Sequence, residues 1–205
     1  MGSVIFLEKI SIDPPREKIY QRLGYQQRTT AISAGQYKET DVDIHKAAAI
    51  ISLSGMFLRL KINRNDGEKI FLSDDLTFNS KKLSFFLRNC GEAIIMGATA
   101  GNAIMEAIKE KSRLDELAAA VIYDATASEM TDAALDWVMD YCNRLLRREG
   151  KALLPSRFSA GYADFKLENQ KIIHEKLQME KFGVKINSSC LLIPEKSVTA
   201  IGGIY

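Results

Sequence analysis

The chain of 205 residues is 46% hydrophobic, with 28 Lys and Arg set against 26 Asp and Glu. That is enough apolar material for a sizeable core, most simply as one domain over 1–205, and too even a charge for a nucleic-acid-binding surface. No apolar run reaches the roughly 18 residues of a membrane span, Met1 to Ile12 lacks a leader's basic opening, and Cys90, Cys142 and Cys190 are too widely spaced for zinc or an iron–sulfur cluster, so a cytoplasmic protein with reduced thiols, no metal site and no membrane contact is expected.

Val4 to Leu7 predicts a short strand. Asp13-Pro14-Pro15 supplies a cap and a first-turn proline, and Gly24 closes a helix over Arg16 to Leu23. Ile44, Ala47, Ala48 and Ile51 share one face of a second helix, Thr40 to Ser54, with Gly55 at its exit. Inside it, Asp43-Ile44-His45 has the opening of a cobalt-ligating Asp-x-His-x-x-Gly loop, but Ala48 stands in the glycine's place and the surrounding pattern is helical. Met56 to Ile62, the turn Asn65-Asp66-Gly67 and Lys69 to Leu72 spell an antiparallel hairpin. Ser80 caps a helix that Gly91 ends, and Ala93 to Ala98 is an apolar strand entering Gly97-Ala98-Thr99-Ala100-Gly101 and a helix from Asn102 to Lys111. That order is similar to a phosphate-cradling turn without its usual spacing, which leaves a tight structural turn as the first reading and an anion site at Gly97 and Gly101 as the second.

Asp115 to Ile122 predicts a further helix, and Thr126-Ala127-Ser128-Glu129 has capping-box spacing at the head of the longest one, which runs to Arg148. Ala134, Val138, Cys142 and Leu145 line its apolar face. Asp132, Asp136 and Asp140 form a separate column, acids early with Arg144, Arg147 and Arg148 late, as the helix dipole favours. Arg157-Phe158-Ser159-Ala160-Gly161-Tyr162 follows. An ordinary loop with a surface arginine has this composition, and so does a ligand loop, because a guanidinium fork grips a carboxylate on two atoms while glycine admits a ligand to the main chain. Asp164 then caps a helix to Phe182 in which His174 is isolated, and Leu191 to Ile193 and Ser197 to Ile201 are the last strands, broken at Pro194.

Three segments together resemble the activation domain of cobalamin-dependent methionine synthase. They are Arg157-x-x-x-Gly161-Tyr162, the helix segment Met130-Thr131-Asp132-Ala133-Ala134-Leu135-Asp136-Trp137, and Ile193-Pro194-Glu195-Lys196-Ser197-Val198-Thr199-Ala200, similar to the family's Trp-Pro-x-Ala-Ser-Val-Ser-Gly strand. The resemblance covers about residues 124 to 201. It departs from the family where Phe158, Ala160 and Ala163 replace prolines beside the motif, and where Asp136 replaces a longer Glu.

The resemblance implies an α+β fold, a twisted and mainly antiparallel sheet with surrounding helices. It also implies a site for S-adenosylmethionine: Arg157 on the ligand's carboxylate, the backbone around Ser159 and Gly161 on its adenosine or methionine portion, Asp136 towards its ammonium or hydroxyl groups, and Tyr162 between ligand and corrin. In the family, cobalamin that has oxidised to its cob(II) form regains activity with one electron, commonly from flavodoxin, and a methyl group from S-adenosylmethionine. No catalytic side chain is needed, since cob(I)alamin is the nucleophile and a thioether departs. The expected role is a free-standing activation subunit, not self-sufficient as an enzyme, acting on cobalamin held in trans by a separate methionine synthase chain, with flavodoxin or another one-electron donor. The alternative is an accessory module that docks on another corrinoid methyltransferase protein without S-adenosylmethionine chemistry of its own.

Overall fold

Near-continuous runs of buried residues along three long strands decide the architecture, because each strand buries both of its faces over most of its length. The computed structural model describes residues 2–25, 33–73 and 75–205. Its strands are β1 (Ile5–Leu7), β2 (Ser54–Asn65), β3 (Lys69–Leu72), β4 (Thr77–Asn79), β5 (Glu92–Thr99), β6 (Lys185–Ile186), β7 (Leu192–Ile193) and β8 (Ser197–Ile204). Its helices are α1 (Arg16–Arg22), α2 (Ala34–Ile50), α3 (Lys81–Phe86), α4 (Ala103–Arg113), α5 (Leu117–Leu146) and α6 (Asn169–Lys176). The main sheet has the order β4-β3-β2-β5-β8, with β1 on the first part of β2. Every pairing in it is antiparallel, and β6 and β7 form a separate antiparallel pair. This is the α+β arrangement that the resemblance implied.

Successive side chains on a strand point to opposite faces, and the sheet uses that to build two cores. Phe57, Ile94, Met96, Ala98, Ala200 and Ile204 turn to the face covered by α5, where Ala134, Val138 and Cys142 meet them. Met56, Leu58, Leu60, Ala93, Ile95 and Ile201 turn the other way, onto Leu83 of α3, Phe165, Ile173 of α6 and Met179. Each fully buried Leu, Ile or Phe contributes about 1.5–3 kcal/mol, so both faces hold the sheet and fix where α5 lies across it. No helix among the described residues is long and apolar enough to cross a membrane. Cys90, Cys142 and Cys190 are free thiols, and burial pushes the Cys142 thiol up to about 12.

Several expected boundaries move. Asp115 to Ile122 and Thr126 to Arg148 are not two helices but one, α5, of 30 residues. Thr126 does not cap: its hydroxyl donates to the Ile122 carbonyl one turn back at 2.7 Å, and the Glu129 carboxylate accepts from Arg22 of α1 at 2.5 Å. The second helix is α2, beginning at a Ser33–Gln36 capping box and ending at Ile50, while Ser54 and Gly55 belong to β2. Asp164 starts no helix. It accepts from the Ser80 hydroxyl at 2.5 Å and the Lys81 amide at 2.7 Å, so it caps α3 from across the chain, and the helix after it is only Asn169–Lys176, followed by a 3₁₀ turn over Met179–Phe182. Neither histidine is isolated. Buried His174 bonds the Val184 carbonyl through Nε2 at 2.7 Å, and His45 Nε2 lies 2.6 Å from Arg16 Nη2.

Candidate functional site

After α5 the chain reverses and runs back along the outer edge of β8. Ala152 and Tyr205 exchange backbone hydrogen bonds of 3.1 and 3.0 Å, Leu154 donates to the Gly203 carbonyl at 2.8 Å, and Phe158 and Ile201 exchange bonds of 2.9 and 2.7 Å. This pairing fixes the backbone at Phe158, one of the positions where the resemblance departs from a proline. Phe158 is anchored further by its ring, 5.8 Å from that of Phe86 and 6.1 Å from that of Phe165. Past Phe158 the chain leaves the strand. Gly161, at φ 89°, makes the turn, its amide donating to the Phe165 carbonyl at 2.8 Å, and the Phe165 amide returns a bond to the Tyr162 carbonyl at 2.9 Å.

Arg157 is thereby held at the corner between β8 and α5. One guanidinium nitrogen donates to the Asp136 carboxylate and the other to that of Asp132, acids one turn apart on one face of α5. The arginine side chain is 21% exposed and the two carboxylates 46% and 48%. Lys18 of α1 reaches the second oxygen of Asp136 at 3.7 Å. Arg157 separates two hollows. The larger, of about 480 Å³, is bounded by Asp132, Ser159, Tyr162, Gln170 and the start of β8 from Ser197 to Thr199. The smaller, of about 420 Å³, is bounded by Asp136, Asp140, Asn143 and the Leu154–Ser156 stretch. In the larger one, the Ser159 hydroxyl donates to the Thr199 carbonyl at 2.9 Å, and the Thr199 hydroxyl to Gln170 at 3.3 Å.

Of the five expected site residues, Arg157, Ser159 and Tyr162 share the larger hollow. Tyr162, 68% exposed, stands at its rim. Asp136 touches Arg157 but opens onto the smaller hollow, and the Gly161 amide is spent on the loop's own turn. Asp132 and Gln170 were not singled out as site residues. The acid column on α5 contained the first signal; the second depends on a tertiary contact with no trace in the local sequence. Gly97 and Gly101 form no anion cradle: a Cβ at Gly97, within β5, would meet Met56 Sδ at 2.9 Å, and the Gly101 amide donates to the Thr99 hydroxyl at 3.2 Å.

Two carboxylates around one guanidinium make a site that can hold a ligand carrying both a carboxylate and a cation. Such half-exposed pairs are each worth about 0–1 kcal/mol, so their exchange for a ligand's own charges costs little. No family model matches the chain, and no curated protein matches it in sequence. Among solved structures, it is similar to the crystal structure of the MetH reactivation domain bound to AdoHcy, with a TM-score of 0.71 and 14% sequence identity over 98% of this chain and 78% of that one. The fold of this chain is the fold of that reactivation domain.

Proposed function

We propose that the chain binds S-adenosylmethionine in the hollow beside Arg157 and presents its methyl group for reductive methylation of cob(II)alamin on a separate cobalamin-dependent methionine synthase chain. The observation that carries this reading is the convergence of Arg157, Asp132, Ser159 and the start of β8 on one hollow of about 480 Å³, in a fold whose solved counterpart holds AdoHcy. That volume lies within the usual range for small-ligand sites. Arg157 takes the ligand's α-carboxylate on its planar fork. Asp132, released from Arg157, faces the ammonium and sulfonium charges, and Asp136 stays with Lys18 on the far side of the arginine. Ser159 and the Gly161 turn hold the loop that closes the hollow, and Tyr162 at the rim meets the corrin.

When bound, S-adenosylmethionine supplies an electrophilic methyl group and a neutral thioether leaving group. The chain's own residues therefore orient and exclude water, and none has to move a proton. In this reading the cobalamin belongs to a partner, and what supports it is that Asp43-Ile44-His45 lies inside α2, with the His45 ring nitrogen already facing Arg16. One electron from flavodoxin or another donor completes the reaction. A docking module without S-adenosylmethionine chemistry is the second reading, and the observation favouring it is that both arms of Arg157 already have carboxylate partners.

Isothermal titration of S-adenosylmethionine into the wild-type chain and Arg157→Ala separates the two. Binding that the variant weakens by tenfold or more is the expected result, about 1.4 kcal/mol or more. Absence of binding by the wild type, alone and with a cobalamin-bearing methionine synthase chain added, would leave the docking reading.

A further inference from the structure

The polar column on α5 continues past the ligand hollow. Asp124, Ser128, Asp132 and Asp136 follow one another at intervals of four residues, so they lie along one face of α5, each a turn from the next. Two cations from the β8 side divide them. Arg157 takes Asp132 and Asp136. Lys196, the residue just before β8, takes the other two: its Nζ donates to the Asp124 carboxylate at 2.7 Å and to the Ser128 hydroxyl at 2.8 Å. The Ser128 hydroxyl donates its own hydrogen to the Asp124 carbonyl at 3.0 Å.

Lys196 is fixed at both ends. Its carbonyl accepts from the Ala100 amide, just past β5, at 2.9 Å, and its side chain is only 14% exposed, a degree of burial that lysine reaches when it is paired. Even-numbered residues of β8 face α5, since Ala200 and Ile204 join the core beneath that helix and Val198 packs against the same core. Lys196 continues the row by one step, and its neighbours Ser197 and Val198 line the hollow. The lysine therefore ties the strand wall of the hollow to its helix wall, one turn beyond Asp132. In the family's Trp-Pro-x-Ala-Ser-Val-Ser-Gly strand an alanine holds this place, and a methyl makes no such tie.

The two ties fare differently when a ligand enters. A carboxylate that takes Arg157 and a cation that takes Asp132 separate those two side chains, so the Arg157 clamp on α5 is loosened. The Lys196 tie shares no atom with it and persists. We propose that Lys196 is a positioning residue of this site, which keeps the two walls of the hollow at their separation while a ligand parts Asp132 from Arg157. It acts through Asp124 and Ser128 rather than on the ligand. This role rests on the reading that a ligand with a carboxylate and a cation occupies the hollow, and adds what keeps the hollow in shape once it is filled. The filled site depends on Lys196 more than the empty one, in which both ties are made. Asp124 is 51% exposed, so water can replace a lost ammonium there and the empty protein is little disturbed.

The test titrates S-adenosylmethionine into the wild type, Lys196→Met and Lys196→Arg, with a thermal melt of each unliganded protein. Methionine keeps a long apolar stem and removes the charge; arginine keeps both stem and charge. The expected result is binding about tenfold weaker in Lys196→Met, the size of a charge-assisted hydrogen bond, and recovered to within about threefold of the wild type in Lys196→Arg. Unliganded melting temperatures should agree within about 4 °C, as for an ion pair open to water on one side. Wild-type affinity in Lys196→Met, or a loss that Lys196→Arg does not recover, would overturn the proposal and leave the S-adenosylmethionine reading intact. A Lys196→Met protein that melts far lower without ligand, or does not fold, would also overturn it, by making Lys196 an ordinary structural contact. A wild type that binds no S-adenosylmethionine would overturn both.

Discussion

Asp132 and Asp136 are chemically identical and one helical turn apart, yet Arg157 separates the spaces they face. Asp132 borders the hollow that also contains Ser159 and Thr199, whereas Asp136 borders the smaller one and has Lys18 as a second partner. A ligand whose carboxylate takes Arg157 from the larger side leaves Asp132 free to pair with its cation and leaves Asp136 where it was. Asp132→Asn is therefore expected to weaken S-adenosylmethionine binding by about tenfold or more, the size of a charge-assisted hydrogen bond, and Asp136→Asn by less than about threefold. Neither variant should change unfolding stability by more than about 1 kcal/mol, because both carboxylates are half exposed. Titration calorimetry with thermal melts reads both effects, and the reverse order of affinities would move the ligand to the smaller hollow.

Among the elements, α3 shows how far a short helix can depend on a distant residue. Its Ser80 cap was legible, since a serine before an apolar run is a local signal, and the Ser80 hydroxyl accepts from the Leu83 amide at 3.0 Å. Asp164 completes that cap from 83 residues away, and nothing in its own neighbourhood says so. The same division runs through the whole chain. The β2–β3 hairpin was readable because Asn65 and Asp66 satisfy the turn's own amides; the continuity of α5 through Thr126 was not, because tertiary partners decide it. In the site, Arg157 stood out by residue type, but which acid borders the larger hollow depends on where the tertiary fold sets Arg157 against α5.

Hydrogen bonding by Ser80, with the Lys81 and Lys82 amides assisting, holds the Asp164 carboxyl below its ordinary value of 3.8. A depressed folded-state value means stability that is present above the ordinary carboxylate range and lost as pH falls through the folded value. Asp164→Ala should accordingly melt at a lower temperature than the wild type at pH 6. The gap should narrow as pH falls below about 4. A gap that persists unchanged to pH 2 would mean that the carboxylate's charge is not what stabilises α3.

At the scale of the whole molecule, the site exists only because a helix and a strand edge are held at a fixed separation. Asp132 and Asp136 lie on α5, while Arg157, Ser159 and Thr199 lie on or beside β8, and the sheet core sets the distance between the two groups. At Gly55 of β2 the sheet leaves α5 no room for a side chain: a Cβ there would meet Val138 Cγ2 of α5 at 2.6 Å and Ile10 Cδ1 at 3.0 Å. Val138 follows Asp136 by two residues, so a methyl at Gly55 pushes on the part of α5 that carries the acids. Gly55→Ala is expected to cost about 1–3 kcal/mol, as overpacking does, and also to weaken S-adenosylmethionine binding, although Gly55 lines neither hollow beside Arg157. Gly67→Ala is the control. Its φ of 87° strains an alanine, but a Cβ there meets nothing within 4 Å, so it should lose about 1 kcal/mol with affinity unchanged. Melts and titrations on the pair decide the point. Stability loss in both with affinity loss in Gly55→Ala alone would tie the site to the helix–sheet spacing, whereas unchanged affinity in Gly55→Ala would mean that the loop and the strand edge set the site without α5.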